Sequence, residues 1–186
     1  MVFITCIINH KNRHMRSFKF LSVLILAATL LFGASCHSSK KSKSKMSYSW
    51  KLYKALQHKM SDAQVVKIGD TVLVIYPELA MFGVGKDEIK MEAQPAFAEF
   101  AAILKDYSRV HLIINGYTDN VGGPEANLSL SKRRAENTKR LMVSNGVKED
   151  RIMTNGKGET YFIADNKTAE GRQANRRVEF VLYESK

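Results

Sequence analysis

One acid and one arginine, set around a single loop, are the residues of this chain best placed to do chemistry. Asp119 falls just past the apolar run Val110-His111-Leu112-Ile113-Ile114, and Arg134 falls inside a helix expected to begin at Pro124. A carboxylate takes an ammonium, and the planar guanidinium fork takes a carboxylate, so the pair suits gripping a small zwitterion. Asn127 stands seven residues before Arg134, on the same helix stripe, and can reach the same pocket. Thr118 and Asn120 flank the acid, to hold the loop or touch the ligand.

A second constellation points to different chemistry. Ser129-Leu130-Ser131-Lys132 fits S-x-x-K, the nucleophile motif of penicillin-binding proteins and class A β-lactamases, and would make the chain a cell-wall acyltransferase. Its partner motifs fail. Lys167-Thr168-Ala169 lacks the glycine of K-T-G, and there is no S-D-N, so no enzyme is expected. Gly156 and Gly158 open no helix after a strand, which removes the dinucleotide fingerprint. His58 and His111 have no ligating neighbours at metal spacing, and both cysteines, Cys6 and Cys36, lie near the N-terminus. No metal or other cofactor is expected.

The elements that must position Asp119 and Arg134 can be read from periodicity. Residues 65–68 and 71–76 form two strands across the turn Gly69-Asp70, and Met81 to Asp87 is a glycine-rich loop. Pro95 introduces a helix with Phe97, Ala101 and Leu104 on one face. Arg109 to Tyr117 is the next strand, with Val110, Leu112 and Ile114 on one side. The Pro124 helix runs to about Ser144, where Gly146 stops it, and its inner face is expected to carry Leu128, Ala135, Thr138 and Met142. A short strand from Arg151 to Asn155, a polar loop to Ala174 and a strand from Arg177 to Tyr183 complete the chain. Strands alternating with helices predict an α/β (α+β) fold, a mixed sheet with helices packed on it.

The charge sits elsewhere. The net +11 suggests nucleic acid or an anionic membrane, but eleven Lys/Arg and no acid lie between Met1 and Ser61, and the remainder is formally neutral. No nucleic-acid partner is expected. Phe20 to Phe32 is an uncharged, apolar run after Arg16 and Lys19, with Gly33-Ala34-Ser35 leading into Cys36, the pattern of a secretory signal over 1–35. As a helix the run would rise about 20 Å, short of a bilayer core of about 30 Å. Met15 would start a well-proportioned signal by itself, which leaves two readings of the start: Met1, or Met15 with 1–14 an over-extension. Cys36 begins a stretch, 36–61, of Ser/Lys tether and a short amphipathic helix, Trp50 to Met60, at the entrance of a domain over 62–186.

Gly116-Tyr117-Thr118-Asp119-Asn120, Asn127-x-x-Leu130-Ser131-x-Arg133-Arg134-Ala135, Arg151-Ile152 with Gly156-Lys157-Gly158-Glu159, and Asn166 with Glu170-Gly171-Arg172-Gln173-Ala174-Asn175-Arg176-Arg177-Val178 follow one another in order. Together they resemble the OmpA-like C-terminal domain family, in its Pal-like lipoprotein form. The resemblance implies a βαβαβ core and non-covalent binding of peptidoglycan through diaminopimelate, Asp119 taking the ammonium and Arg134 the carboxylate. Thr118, Asn120 and Asn127 then belong to the same site, and Arg177 orders it by packing or pairing. Many members carry an Asp after the phenylalanine of the loop before the first long helix, where this chain has Phe82-Gly83.

The small residues before Cys36 resemble a lipobox, with Gly33 in the place of the usual branched aliphatic residue. That implies a lipid on Cys36, and His37 at the second following position favours the outer membrane, with the domain in the periplasm. Envelope protein partners are left unspecified. The alternative is a MotB-like anchor subunit with an uncleaved N-terminal helix; that family's helix carries an acid for proton flow, and Phe20 to Ser39 has none.

Overall fold

The structure, a computed structural model, describes residues 46–185; the signal segment, Cys36 and most of the Ser/Lys tract lie outside the described residues. In chain order the elements are α1 (Tyr48–Lys59), β1 (Gln64–Ile68), β2 (Thr71–Pro77), α2 (Glu78–Met81), α3 (Gln94–Asp106), β3 (Val110–Tyr117), α4 (Pro124–Ser144), β4 (Ile152–Gly158), α5 (Ala169–Asn175) and β5 (Arg177–Glu184). Among the described residues no helix is long and apolar enough to cross a membrane.

The strands form one mixed sheet in the order β1-β2-β5-β3-β4. Only β3 and β4 pair in parallel, joined by α4 as the crossover; the other neighbours are antiparallel. The β2–β5–β3 register lines up Val74, Phe180 and Ile114, and beside them Val72, Leu182 and Leu112. All six are fully buried and form one core with Leu52 and Leu56 of α1, Phe97, Phe100 and Leu104 of α3, and Ala135 and Met142 of α4. Side chains alternate across a strand, so the three long helices share one face of the sheet. Tyr76, Phe97, Phe100 and Phe180 pack with ring centroids 5.1–6.0 Å apart at its centre.

The α/β expectation and most element positions hold, and four details differ. The entrance helix α1 supplies Leu52, Leu56 and Met60 to the core, so the folded unit begins before Asp62. Its buried stripe is Ser49, Leu52 and Leu56, with Trp50 left at the rim. In α4 the buried stripe is Asn127, Ser131, Arg134, Ala135, Thr138 and Met142, whereas Leu128 is 52% exposed. Polar residues occupy the inner face there, which is why an apolar-periodicity reading chose the neighbouring leucine. The polar loop before Ala174 contains α5, a seven-residue helix capped by Thr168, whose side chain accepts from Gly171 N–H at 3.0 Å.

Helix α4 is bounded as its residues dictate. Pro124 sits at its first turn, and Gly146 takes φ +92° past its end. The N–H of Gly146 reaches Val143 O at 2.9 Å, and that of Val147 reaches Met142 O at 3.1 Å, the paired bonds of a Schellman cap.

Tyr76 also makes stability sensitive to alkali. Burial, with the charges of Asp62 and Glu99, holds its phenol well above the usual value near 10. The unfolded chain therefore releases this proton before the folded one. The contribution is complete below pH 10 and falls by about 1.4 kcal/mol per pH unit above it. Tyr76→Phe, which loses only a hydrogen bond to Met60 Sδ at 3.3 Å, is expected to flatten that part of the urea-stability profile while changing stability little at pH 7.

Candidate functional site

Helix α4 crosses the ends of β3 and β4 at very short range, because two glycines face it. A Cβ on Gly116 would lie 2.3 Å from Ser131 O, and one on Gly156 would lie 2.7 Å from Lys132 N. These residues pair across the sheet and make a flat seat for the helix. Ser131, fully buried, closes the joint by accepting Gly158 N–H at 2.9 Å and donating to Leu128 O at 2.8 Å. With α4 seated, Arg134 lies one turn beyond the contact and Asp119 three residues beyond Gly116.

Both residues line a cleft of about 280 Å³, together with Glu78, Val84, Gly85, Thr118, Val121, Asn127, Leu130, Arg172 and Arg176. The pair inferred from the motifs is thus brought to one place. Arg134 is no solvated helix charge: it is 1% exposed, and its guanidinium lies 5.2 Å from the Phe82 ring. Its Nε donates to Lys86 O at 2.8 Å and its Nη2 to Glu78 Oε1. Burial lowers its pKa, and the Glu78 carboxylate offsets part of that effect.

Glu78 is the residue that sequence reasoning missed. It is 2% exposed and stands between two arginines, with Oε1 on Arg134 and Oε2 2.6 Å from Arg176 Nε. That second contact is an ion pair without hydrogen-bond alignment. Arg176 continues the chain, its Nη1 donating to Asp119 Oδ2 at 2.6 Å. Although burial works against its charge, the hydrogen bond to Asp119 and the nearby Glu78 carboxylate raise the Arg176 pKa. Asp119 Oδ1 accepts Val121 N–H at 3.0 Å. The result is an alternating row, Asp119–Arg176–Glu78–Arg134, with every charge opposed by a neighbour.

The remaining predicted residues fall into distinct places. Asn127 braces the loop: its Nδ2 lies 3.1 Å from Val121 O, 3.4 Å from Asp119 O and 2.7 Å from Glu159 Oε2. Thr118 is tied through its backbone N–H to Gly158 O at 2.9 Å, while its buried Oγ1 has no hydrogen-bond partner among the described residues. Asn120 is exposed and does not line the cleft. Arg177 does not line it either. Its guanidinium stacks 3.8 Å from the Tyr117 ring and reaches Glu179 Oε1 at 2.8 Å, Asn175 O at 3.2 Å and Tyr161 O at 3.1 Å. Strand alternation sends Arg177 to the face away from the helices, and the preceding Arg176 supplies the cleft instead. Gly83 stays outside the lining, and Val84 and Gly85 of the same loop contribute to it. Ser129, of the S-x-x-K pattern, is exposed and accepts from Arg133 Nη1 at 2.8 Å.

The mixed five-stranded sheet thus presents a buried acid, Asp119, and a buried arginine, Arg134, at the β3–α4 exit. Residues 81–176 match the OmpA family model, and the chain belongs to that family. It is 35% identical over 118 residues to "Probable lipoprotein YiaD" of Escherichia coli (strain K12), covering 63% of this chain and 54% of that protein. The chain thus spans about half the length of that relative. The fold is shared with a MotB-like protein from Desulfovibrio vulgaris, at TM-score 0.68 and 23% identity over 74% of this chain and 92% of that one. It is also similar to the peptidoglycan-associated lipoprotein from Burkholderia pseudomallei, at TM-score 0.52 and 26% identity over 55% of this chain and 86% of that one.

Proposed function

We propose that this domain binds peptidoglycan non-covalently, through the carbon of diaminopimelate that bears both an ammonium and a carboxylate, and that a lipid on Cys36 holds the chain at the outer membrane. Asp119 takes the ammonium and Arg134 the carboxylate. The observation that carries this reading is the joint presence of Asp119 and Arg134, both buried, on one cleft. Membership of the OmpA family and likeness to a peptidoglycan-associated lipoprotein support it. Likeness to "Probable lipoprotein YiaD" supports the anchor. The MotB-like alternative has the shared fold in its favour and nothing in the cleft that separates it.

The row of charges explains why such binding is reversible. An ammonium arriving at Asp119 competes with Arg176, and a carboxylate arriving at Arg134 meets Glu78 beside it. Arg134 Nη1 makes no hydrogen bond to the described residues and is the donor left for the ligand. Thr118 Oγ1 offers a further polar partner at the same wall. Each new charge-assisted bond contributes about 1.5–3 kcal/mol, and much of that replaces an interaction already present. Modest affinity at each site suits a domain that meets a polymer with many identical ligands.

Purified sacculi of the diaminopimelate type are expected to pull the wild-type protein into the pellet on centrifugation. Asp119→Ala is expected to leave it in the supernatant. Asp119→Ala pelleting as well as wild type would refute the assignment.

A further inference from the structure

We infer that Arg176 is a built-in stand-in for the ligand's ammonium, and that a ligand takes Asp119 by exchange, Arg176 withdrawing onto the free oxygen of Glu78; this rests on the peptidoglycan reading above. Among the described residues, three buried side-chain polar atoms have no hydrogen-bond partner: Glu78 Oε2, Thr118 Oγ1 and Arg176 Nε. All three belong to residues that line the cleft. Buried polar groups in folded proteins are nearly always bonded, and each exception calls for a cause. Three exceptions in one cleft mark a place whose bonding a ligand completes.

Two of the three atoms face each other. Arg176 Nε lies 2.6 Å from Glu78 Oε2 and is not aligned to donate to it. The cause is at the other end of the same guanidinium, where Nη1 donates to Asp119 Oδ2 at 2.6 Å. One planar group is shared between two carboxylates and makes a well-formed bond to one of them. Its donors point in fixed directions, so turning Nε onto Glu78 takes Nη1 away from Asp119.

Arg176 is the member of the trio free to turn. Asp119 is held by Val121 N–H on Oδ1 at 3.0 Å, and Glu78 by Arg134 on Oε1. The Arg176 side chain is 23% exposed, against 2% for Glu78 and 8% for Asp119. Glu78 N–H donates to Arg176 O at 2.9 Å, so the two backbones are already joined and only the side chain has to move. An ammonium arriving at Asp119 Oδ2 therefore replaces one cation by another, and the released guanidinium aligns Nε with Glu78 Oε2. Each carboxylate then has a charge-assisted bond on both oxygens. The exchange also draws Glu78 toward Arg176, which loosens its hold on Arg134 as the ligand's carboxylate reaches that residue. A ligand without an ammonium offers Asp119 nothing and leaves Arg176 in place, so Arg176 is a specificity-determining residue of the cleft.

The test uses the full chain with free meso-diaminopimelate. By calorimetric titration, Arg176→Gln is expected to bind it about tenfold more tightly than wild type, the difference between evicting a charge-assisted bond and a neutral one. An arginine that only holds Asp119 in position predicts the reverse. Equal or weaker binding by a folded Arg176→Gln overturns the exchange. A second readout needs no variant to bind: the NMR signal of the Arg176 Nε–H in wild type, identified by its absence from Arg176→Lys. Saturation with diaminopimelate is expected to move that signal downfield and slow its exchange with solvent. Pimelate, which keeps both carboxylates and has no ammonium, is expected to leave it where it was. A signal unmoved by diaminopimelate, or moved equally by pimelate, overturns the exchange. Failure of the peptidoglycan reading looks different: wild type then binds no diaminopimelate at all, and the exchange falls with it.

Discussion

Replacing Glu78 with alanine is expected to lower the stability of the domain by about 3–5 kcal/mol, the cost of leaving a buried charge without its partner. Glu78 and Arg134 are 2% and 1% exposed, and Glu78 also opposes Arg176. Without the carboxylate, Arg134 keeps only Lys86 O as a hydrogen-bond acceptor. Urea unfolding at pH 7 would show the loss as a lower midpoint at unchanged slope. Replacing both partners by apolar residues of similar volume, Glu78→Leu with Arg134→Met, removes the penalty as well as the interaction. The double variant is expected to recover most of the stability and none of the binding. A Glu78→Ala protein as stable as wild type would show that the buried row does not hold the fold together.

The second large effect comes from a single methyl group. Gly116→Ala puts a Cβ 2.3 Å from the backbone oxygen of Ser131, and no rotation of a flexible side chain relieves that clash. Helix α4 must lift from β3, weakening the Ser131 bond to Gly158 N–H and the packing of Ala135 behind it. Overpacking of this kind costs about 1–3 kcal/mol, and backbone against backbone belongs near the top of that range. The effect on binding exceeds the effect on stability. Asp119 is carried by the strand and Arg134 by the helix, so separating them spoils the fit to a ligand that must touch both. Gly116→Ala is expected to remain folded at 25 °C, with a thermal midpoint lowered by several degrees, and to lose sedimentation with sacculi. Wild-type pelleting by that variant would mean that the strand–helix spacing does not set the site.

Much of the fold can be read in the residues because its long elements follow their periods. β3, β5, α3 and the whole of α4 lie close to where alternation, helical spacing, Pro124 and Gly146 put them. α5 has seven residues and only Gly171 and Asn175 buried, too little for a periodic signal. Leu128 was misplaced for the opposite reason: the inner face of α4 near the site is polar, so its most apolar residue marks the outside. Asp119 and Arg134 could be found because their types are complementary and their motifs ordered. Glu78 could not, since it lies in a four-residue helix far from either in sequence and meets Arg134 only after the sheet forms. Arg176 and Arg177 are adjacent identical residues, and only the pleat of β5 decides which of them reaches the cleft.

The measurement that bears most directly on the account is competition at the sacculus. Wild-type protein bound to diaminopimelate-type sacculi should be released by free meso-diaminopimelate and retained in the presence of Nα-acetyl-lysine, which has no carbon bearing both an ammonium and a carboxylate. Asp119→Ala should show no bound fraction to release. Protein that stays bound at saturating diaminopimelate, or that Nα-acetyl-lysine displaces equally well, would contradict recognition of the zwitterion by Asp119 and Arg134.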